Sequence, residues 1–134
     1  MNKFFSAAPL MQPQGLALVR IIVGLFMIYH GIEVFNKETM AGYSTWKQFS
    51  NTSFALVLVY IGKSAELLAG ILLTIGLFTR IASLVLIVTM LYIAFFVGNG
   101  KVWYEDQHPF LFALLGLVFI FTGPGKWSLD AKRD

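Results

Sequence analysis

A lysine and a glutamate lie within a stretch of this sequence that is otherwise dominated by apolar residues. Lys63 and Glu66 fall inside 56–80, which is about long enough to span a bilayer. A charged side chain at that depth costs roughly 2.5–3.5 kcal/mol, so such residues usually face a partner or a wet cavity. Positions three apart share a helix face. We therefore expect either a structural ion pair between helices or a site for a ligand or a proton.

Small residues flank this glutamate on its own side of the helix. Gly62 and Gly70 stand four positions before and after Glu66. Small residues at this spacing let a neighbouring helix approach closely. The pattern predicts a close-packed helix face around the carboxylate.

Further titratable and hydroxyl residues occur in the other apolar segments. They are His30 and Glu33 in the first segment, Tyr92 in the third, and Glu105 and His108 at the start of the fourth. His30 with Glu33 suits interfacial packing about as well as chemistry, and His108 beside Pro109 also suits a helix start. The histidines lack the HxxxH and HExxH spacings of common metal sites, so we predict no bound metal.

Composition points to a membrane protein with a single domain. Of 134 residues, 57% are hydrophobic and 13% are charged, about half the charged share of an average soluble domain. The chain has no cysteine, which excludes disulfides and thiolate metal sites. The net charge is +3, but no basic run accompanies it, so we expect no nucleic-acid partner.

Hydropathy predicts an all-α fold, a four-transmembrane-helix antiparallel bundle formed by residues 1–134. The expected helices cover about 15–35, 54–78, 80–97 and 106–122. Four crossings place both termini on one side, which carries Lys3, Arg80, Lys126, Lys132 and Arg133. The other side carries Lys37, Lys47 and Lys101. This bias favours a multi-pass protein of the inner (cytoplasmic) membrane with both termini in the cytoplasm.

The same topology brings the polar residues of all four helices to the outer half of the bundle. We expect a shared pocket with Glu66 and His30 as catalytic groups, and with five substrate-binding residues, Lys63, Glu33, Tyr92, Glu105 and His108. Arg20 and Arg80 stand apart near the inner surface, where arginines commonly anchor to lipid phosphates.

Three segments of the sequence resemble the DoxX family of small four-helix membrane proteins. The first contains Leu18-Val19-Arg20, Gly24 and His30-Gly31, and the second contains 65–70 (AELLAG) and 76–82 (GLFTRIA). The third is the closing 123–130 (GPGKWSLD). One position departs from the family pattern, because Val34 stands where members often carry a basic residue.

The resemblance implies a membrane subunit linked to redox chemistry, and it points to Arg20, His30, Glu66, Arg80 and Glu105. It also implies a structural role for Ser128 and Asp130, in bonds to helix-four carbonyls or in a pair with Arg80. Some relatives are the membrane part of a thiosulfate:quinone oxidoreductase, and others accompany oxidative-stress or metal-handling proteins.

The leading hypothesis is a membrane subunit of an oxidoreductase that binds a quinone, or another lipophilic substrate, without a covalently bound cofactor. Its partners would be the lipid bilayer, a soluble redox protein and, given the glycine-rich helix faces, a second copy in a homodimer. The alternatives are a non-catalytic membrane anchor for a soluble enzyme, and a transporter of a small solute or metal ion.

Overall fold

The computed structural model describes residues 2–50 and 52–133, which form helices and loops without a strand. The main helices are α1 (Gln12–Gly31), α2 (Lys37–Ser44), α3 (Ala55–Ile75), α4 (Thr79–Tyr92), α5 (Gln107–Thr122) and α6 (Leu129–Arg133). A 3-10 turn, Ile32–Phe35, continues α1, and a π-helical segment, Ile93–Val97, continues α4.

Three helical stretches in the described residues are long and apolar enough to cross a membrane, judged by length and composition. They are Gln12–Phe35, Ala55–Ile75 and Thr79–Val97. Helix α5 is as apolar but has only 16 residues. Large apolar side chains such as Leu68 and Val88 are exposed on the outer faces of these helices, as expected for surfaces that contact lipid.

Close backbone contact joins α1 to α3. A methyl group added at Gly70 would lie 2.7 Å from the backbone nitrogen of Ile28, and one added at Gly31 would collide with Leu67. Gly62 differs, because nothing lies within 4 Å of the position its Cβ would take. The expected close-packed face therefore exists at Gly70 but not at Gly62, which opens onto a cavity instead.

The hydrophobic core has two parts. The larger part lies between α1, α3, α4 and α5 and includes Met27, Leu73, Leu86 and Phe119. A smaller part, consisting of Met40, Phe49 and Val59, lies beneath the 36–53 connection. The sequence did not predict the structure of this connection. It contains α2 and a 3-10 turn, Lys47–Phe49, and α2 packs on α3.

Arg20 is completely buried. Its Nε donates a hydrogen bond to the carbonyl of Leu73 (2.9 Å), and its terminal nitrogens donate to carbonyls of the closing segment, those of Pro124, Lys126 and Trp127. The expected contact of Arg20 with lipid phosphate is therefore wrong, because carbonyls inside the protein take up its donors. Arg80 is exposed and donates to the carbonyl of Ile120 (3.0 Å), so its contact with lipid stays a prediction.

Asp130 holds the start of α4. Its two carboxylate oxygens accept hydrogen bonds from the backbone N–H groups of Phe78 (2.9 Å) and Thr79 (2.8 Å). Burial by itself would raise the pKa of Asp130, but these hydrogen bonds outweigh it and lower the pKa below its usual value. The expected pairing with Arg80 is wrong, because the carboxylate is taken up by donors that a helix N-terminus leaves free.

Ser128 makes no hydrogen bond to a carbonyl of α5, the helix that the sequence predicted as the fourth, and this corrects the second expectation for the closing segment. Its hydroxyl oxygen accepts a hydrogen bond from the N–H of Ala131 (3.0 Å) and so caps the short α6. The closing segment thus joins α1 to the start of α4 at one end of the bundle, away from the cavity that Gly62 faces.

Candidate functional site

Lys63 lies at the centre of a cluster of charged and polar groups between α1, α2 and α3. Its Nζ is 3.0 Å from Glu33 Oε2 and 3.1 Å from Glu66 Oε2. It also approaches the carbonyl of His30 (3.4 Å) and lies 5.2 Å from the centre of the Tyr43 ring. One ammonium therefore pairs with two carboxylates at once, which is the kind of partner that a buried charge needs.

Glu66 is the most deeply buried acid of this cluster. Its side chain is 6% exposed, against 34% for Glu33. Although Lys63 lies within ion-pair distance of Glu66 Oε2, this oxygen makes no well-aligned hydrogen bond. The carboxylate also borders a cavity, so it keeps hydrogen-bonding capacity for a molecule bound there.

Tyr43 connects the 36–53 connection to this cluster. Its hydroxyl donates a 2.7 Å hydrogen bond to Glu33 Oε2. The pKa of Tyr43 is raised, mainly because its hydroxyl is buried and secondly because that hydroxyl is hydrogen-bonded to the Glu33 carboxylate. Tyr43 also contacts the Trp46 ring edge-on, with 4.9 Å between centres. The connection is thereby held over the ends of α1 and α3.

A cavity of about 260 Å³, open on one side, lies next to the charged cluster. Its wall is mostly apolar, with a small number of polar groups, a composition typical of small-molecule sites. The main helices contribute Met27, His30, Leu58, Val59, Gly62, Lys63, Glu66, Thr89, Met90, Tyr92, His108, Pro109 and Phe112, and the adjoining segments contribute Tyr43, Trp46, Phe49, Ile93 and Val97.

The two histidines of the chain meet at the edge of this cavity. Ring centres of His30 and His108 are 6.2 Å apart, and His108 lies 5.0 Å from the ring of Phe112. His30 comes from α1 and His108 from the first turn of α5. Two imidazoles and one carboxylate can therefore reach a single molecule in the cavity from different sides.

Six of the seven residues predicted for the pocket gather at this end of the bundle. Glu66, His30, Lys63, Tyr92 and His108 line the cavity, and Glu33 joins them through Lys63. Their roles in binding or catalysis stay predictions. Among the described residues no group of three or more His, Asp or Glu is placed to hold a metal ion.

Glu105 is the exception, and its expected place in the pocket is wrong. It lies exposed on the 98–106 loop, where it accepts a hydrogen bond from the Asn99 side chain and pairs with Lys101 at 3.7 Å. Its neighbour Asp106 turns inward and accepts hydrogen bonds from the N–H groups of Asn99 and Lys101. The loop can bury only one of two adjacent acids, and it buries Asp106.

Comparison with known proteins decides the family. The sequence model of the DoxX family matches residues 15–99, which include the Lys63 cluster. The chain belongs to the DoxX family. The predicted resemblance is therefore confirmed, and this DoxX protein is an integral membrane protein with several apolar helices.

Similar proteins are found in three bacteria. A Haemophilus influenzae protein, described as uncharacterized, is 32% identical over 130 residues, covering 90% of this chain and 92% of that protein. An uncharacterized membrane protein of Mycobacterium tuberculosis is 28% identical over 134 residues, with coverage of 90% and 82%. A Bacillus subtilis protein named putative oxidoreductase CatD is 28% identical over 137 residues, with coverage of 97% and 90%. No solved structure matches the chain.

Sequence reasoning about this DoxX protein missed the contribution of the 36–53 connection. Tyr43, Trp46 and Phe49 all line the cavity, although none of them was among the residues predicted for the pocket. One usable signal was present: Met40 and Tyr43, three positions apart, give the short α2 an apolar side that must cover something.

Proposed function

We propose that this DoxX protein binds a lipophilic ring compound such as a quinone in the cavity, as the membrane subunit of a redox system. The observation that carries the proposal is the cavity itself. It combines an apolar wall with a buried carboxylate that keeps free hydrogen-bonding capacity and with two imidazoles at its edge. Such a wall suits a flat, apolar ring. The imidazole N–H groups can donate to the carbonyl oxygens of a quinone, and the Glu66 carboxylate can accept a hydrogen bond from a hydroxyl of its reduced, quinol form.

The volume of the cavity supports a small ring. Drug-sized ligands occupy pockets of about 300–1,000 Å³, so a cavity of about 260 Å³ suits a single substituted ring. Phe112, Met90 and Met27 offer aromatic and thioether surfaces for stacking against that ring. A carbonyl oxygen would accept a hydrogen bond from His30, His108 or protonated Glu66.

Protons and electrons would reach the ring by different routes. Reduction of a quinone to its quinol adds two electrons and two protons, one proton on each carbonyl oxygen. The electrons come from an external reductant, either a partner protein or a small reduced solute. Glu66 and the imidazoles are placed to donate the protons, and the half-exposed Glu33 is placed to exchange protons with water.

The comparisons support this proposal only in part. The Bacillus subtilis relative carries the name of an oxidoreductase, at 28% identity. That name describes the relative, and it agrees with the redox role proposed for this chain. The substrate, the reductant and the partner are proposals that rest on the chemistry of the cavity.

The proposed setting is the inner membrane, crossed by α1, α3, α4 with its π-helical extension, and α5, in antiparallel order. Both termini would then lie in the cytoplasm, and the cavity would lie toward the outer surface. Although α5 has only 16 residues, membranes accommodate short helices by local thinning.

The protein's own tryptophans provide a binding assay. Of its three tryptophans, Trp46 lines the cavity, whereas Trp103 and Trp127 are exposed elsewhere. A Trp103→Phe/Trp127→Phe variant in lipid nanodiscs therefore reports on the cavity. A Trp46→Phe/Trp103→Phe variant, which keeps Trp127 in the closing segment, reports on the opposite end of the bundle. Both are titrated with decyl-ubiquinone.

Saturable quenching of Trp46 that Glu66→Gln weakens is the expected result. Quenching of Trp127 should rise without saturation, because that residue meets quinone only by collision in the membrane. Glu105→Gln is the matched control, since Glu105 is an exposed acid outside the cavity. Identical quenching of the two tryptophans, or binding that Glu66→Gln leaves unchanged, would overturn the proposal.

A non-catalytic anchor is the second candidate, and one observation favours it. Lys63 contacts four protein groups: Glu33, Glu66, the carbonyl of His30 and the Tyr43 ring. Such a closed cluster can serve simply to join α1, α2 and α3. This reading predicts that loss of Lys63 destabilises the protein and that no quinone binds to the cavity.

A further inference from the structure

A shallow apolar groove runs along the outside of the protein between α1 and α5. Ile22, Leu25, Phe26 and Tyr29 of α1 form one side, and His108 and Phe112 of α5 form the other. Leu25 and Phe26 are about half exposed. The groove lies on a helix that is long and apolar enough to cross the membrane, so it meets the acyl chains of lipid.

The groove and the cavity share three residues as a common wall. His30, His108 and Phe112 border both of them. At this seam α1 and α5 meet through side chains: Phe26 packs edge-on against Phe112 at 6.3 Å, and His30 faces His108 at 6.2 Å. Because side chains form this shared wall, rotation of these aromatic rings is the movement that we expect to connect the cavity to the groove.

The helix packing indicates that the bundle opens most easily at this seam between α1 and α5. Helix α1 packs mainly against α3, and α5 packs mainly against α4. The α1–α3 contact is locked by glycines whose backbones touch the neighbouring helix. The α1–α5 seam depends instead on side chains that can change rotamer.

We infer that the natural ligand has two parts, a polar ring that occupies the cavity and a long hydrocarbon tail that lies in the α1–α5 groove. The inference rests on the proposed function and adds a subsite that binds the tail. The His30–His108 pair marks the boundary between the cavity, which holds the ring, and the groove, which holds the tail. The cavity of about 260 Å³ holds the ring but has no room for a tail. The apolar groove continues from it at the shared wall, and a tail lying there stays in contact with lipid.

Photo-crosslinking locates the tail directly. Decyl-ubiquinone carrying a diazirine at the end of its tail is bound in nanodiscs, irradiated, and its attachment sites are mapped by mass spectrometry. Labelling should concentrate on Ile22, Leu25 and Phe26, and an excess of unlabelled decyl-ubiquinone should suppress it. Even labelling of lipid-facing residues such as Leu84 and Val88 would overturn the subsite.

A pair of matched variants provides an independent measurement. Ile22→Phe/Leu25→Phe fills the groove and should weaken binding of decyl-ubiquinone roughly tenfold, while the tail-less parent benzoquinone binds as before. Leu84→Phe/Val88→Phe, which enlarges exposed side chains on the outer face of α4, should change neither.

The outcomes separate the two proposals. Saturable quenching of Trp46 by both quinones, with decyl-ubiquinone unaffected by the filled groove, would refute the tail subsite and leave the cavity proposal standing. Absence of saturable quenching by either quinone would refute both.

Discussion

Lys63 determines the electrostatics of the site, because it is the cation that the buried Glu66 and the partly exposed Glu33 share. Its side chain is 15% exposed, so its partners are poorly compensated by water. Removal of the lysine leaves Glu33 and Glu66 as two neighbouring like charges without their shared cation, and Glu66 is buried beside the cavity. Removal of one partner from a buried charge cluster is far more damaging than replacement of the whole cluster.

Lys63→Met is therefore expected to destabilise the protein by about 3–5 kcal/mol. The triple variant Glu33→Gln/Lys63→Met/Glu66→Met should recover most of that loss. Both are measured by thermal unfolding in a mild detergent, followed by circular dichroism. Lys101→Met is the control, because its pair with Glu105 is exposed and should contribute under about 1 kcal/mol. Equal stability of the Lys63 and Lys101 variants would contradict the cluster's structural importance.

Residue identity alone predicted part of this site. The spacing of Lys63 and Glu66 was enough to predict that they meet, since a helix fixes that distance. The sequence could not show which of Glu105 and Asp106 turns inward, because that depends on the hydrogen-bonding needs of the 98–106 loop. Nor could it show that Arg20 reaches the carbonyls of 124–127, which are about a hundred positions away.

At the scale of elements, α3 uses one helix face for two purposes. Gly70 allows α1 to approach closely, and Gly62 leaves space beside the cavity. The equal spacing of both glycines from Glu66 predicted the same role for each. Only the path of α1, which contacts α3 near Gly70 and has ended before Gly62, separates them.

Gly70→Leu should therefore destabilise the protein by several kcal/mol, because its side chain would collide with the backbone of α1. Gly62→Leu should leave stability nearly unchanged, since it projects into open space. Unfolding of the two variants in detergent is compared under the same conditions. Similar losses from both substitutions would show that α1 and α3 pack differently from this arrangement.

Asp130 makes the stability of the first turn of α4 dependent on pH. Because its folded pKa lies below the ordinary value of 3.8, its contribution to stability is fully present above that value. The contribution is lost as the pH falls through the lower folded pKa. Asp130→Asn keeps only one acceptor oxygen for the two N–H groups, so it should cost about 1 kcal/mol at neutral pH. The difference from wild type should shrink on acidification below 3.8. A difference that grows on acidification would contradict this assignment.

At the scale of the whole molecule, the number of membrane crossings decides where the C-terminus lies. With α5 spanning the membrane, both termini share one side. With α5 lying at the surface, they are on opposite sides. Composition and hydropathy predicted the all-helical membrane fold, but a helix of 16 residues is at the lower limit for crossing.

Absence of natural cysteines makes this topology directly measurable. Lys101→Cys should react with a membrane-impermeant maleimide in intact cells, because its loop lies at the cavity end of the bundle. Lys132→Cys should react only after lysis, if both termini are cytoplasmic. Reaction of both residues in intact cells would show that α5 does not cross.

The central claim is that the cavity beside Glu66 binds a lipophilic ring, and Gly62→Leu tests it most directly. This substitution places a leucine side chain in the cavity, at a position whose Cβ would contact no other atom. In the protein that retains only Trp46, decyl-ubiquinone should quench fluorescence with saturation, and Gly62→Leu should abolish that saturation while the unfolding temperature stays the same. Saturable binding that survives Gly62→Leu unchanged would contradict the claim.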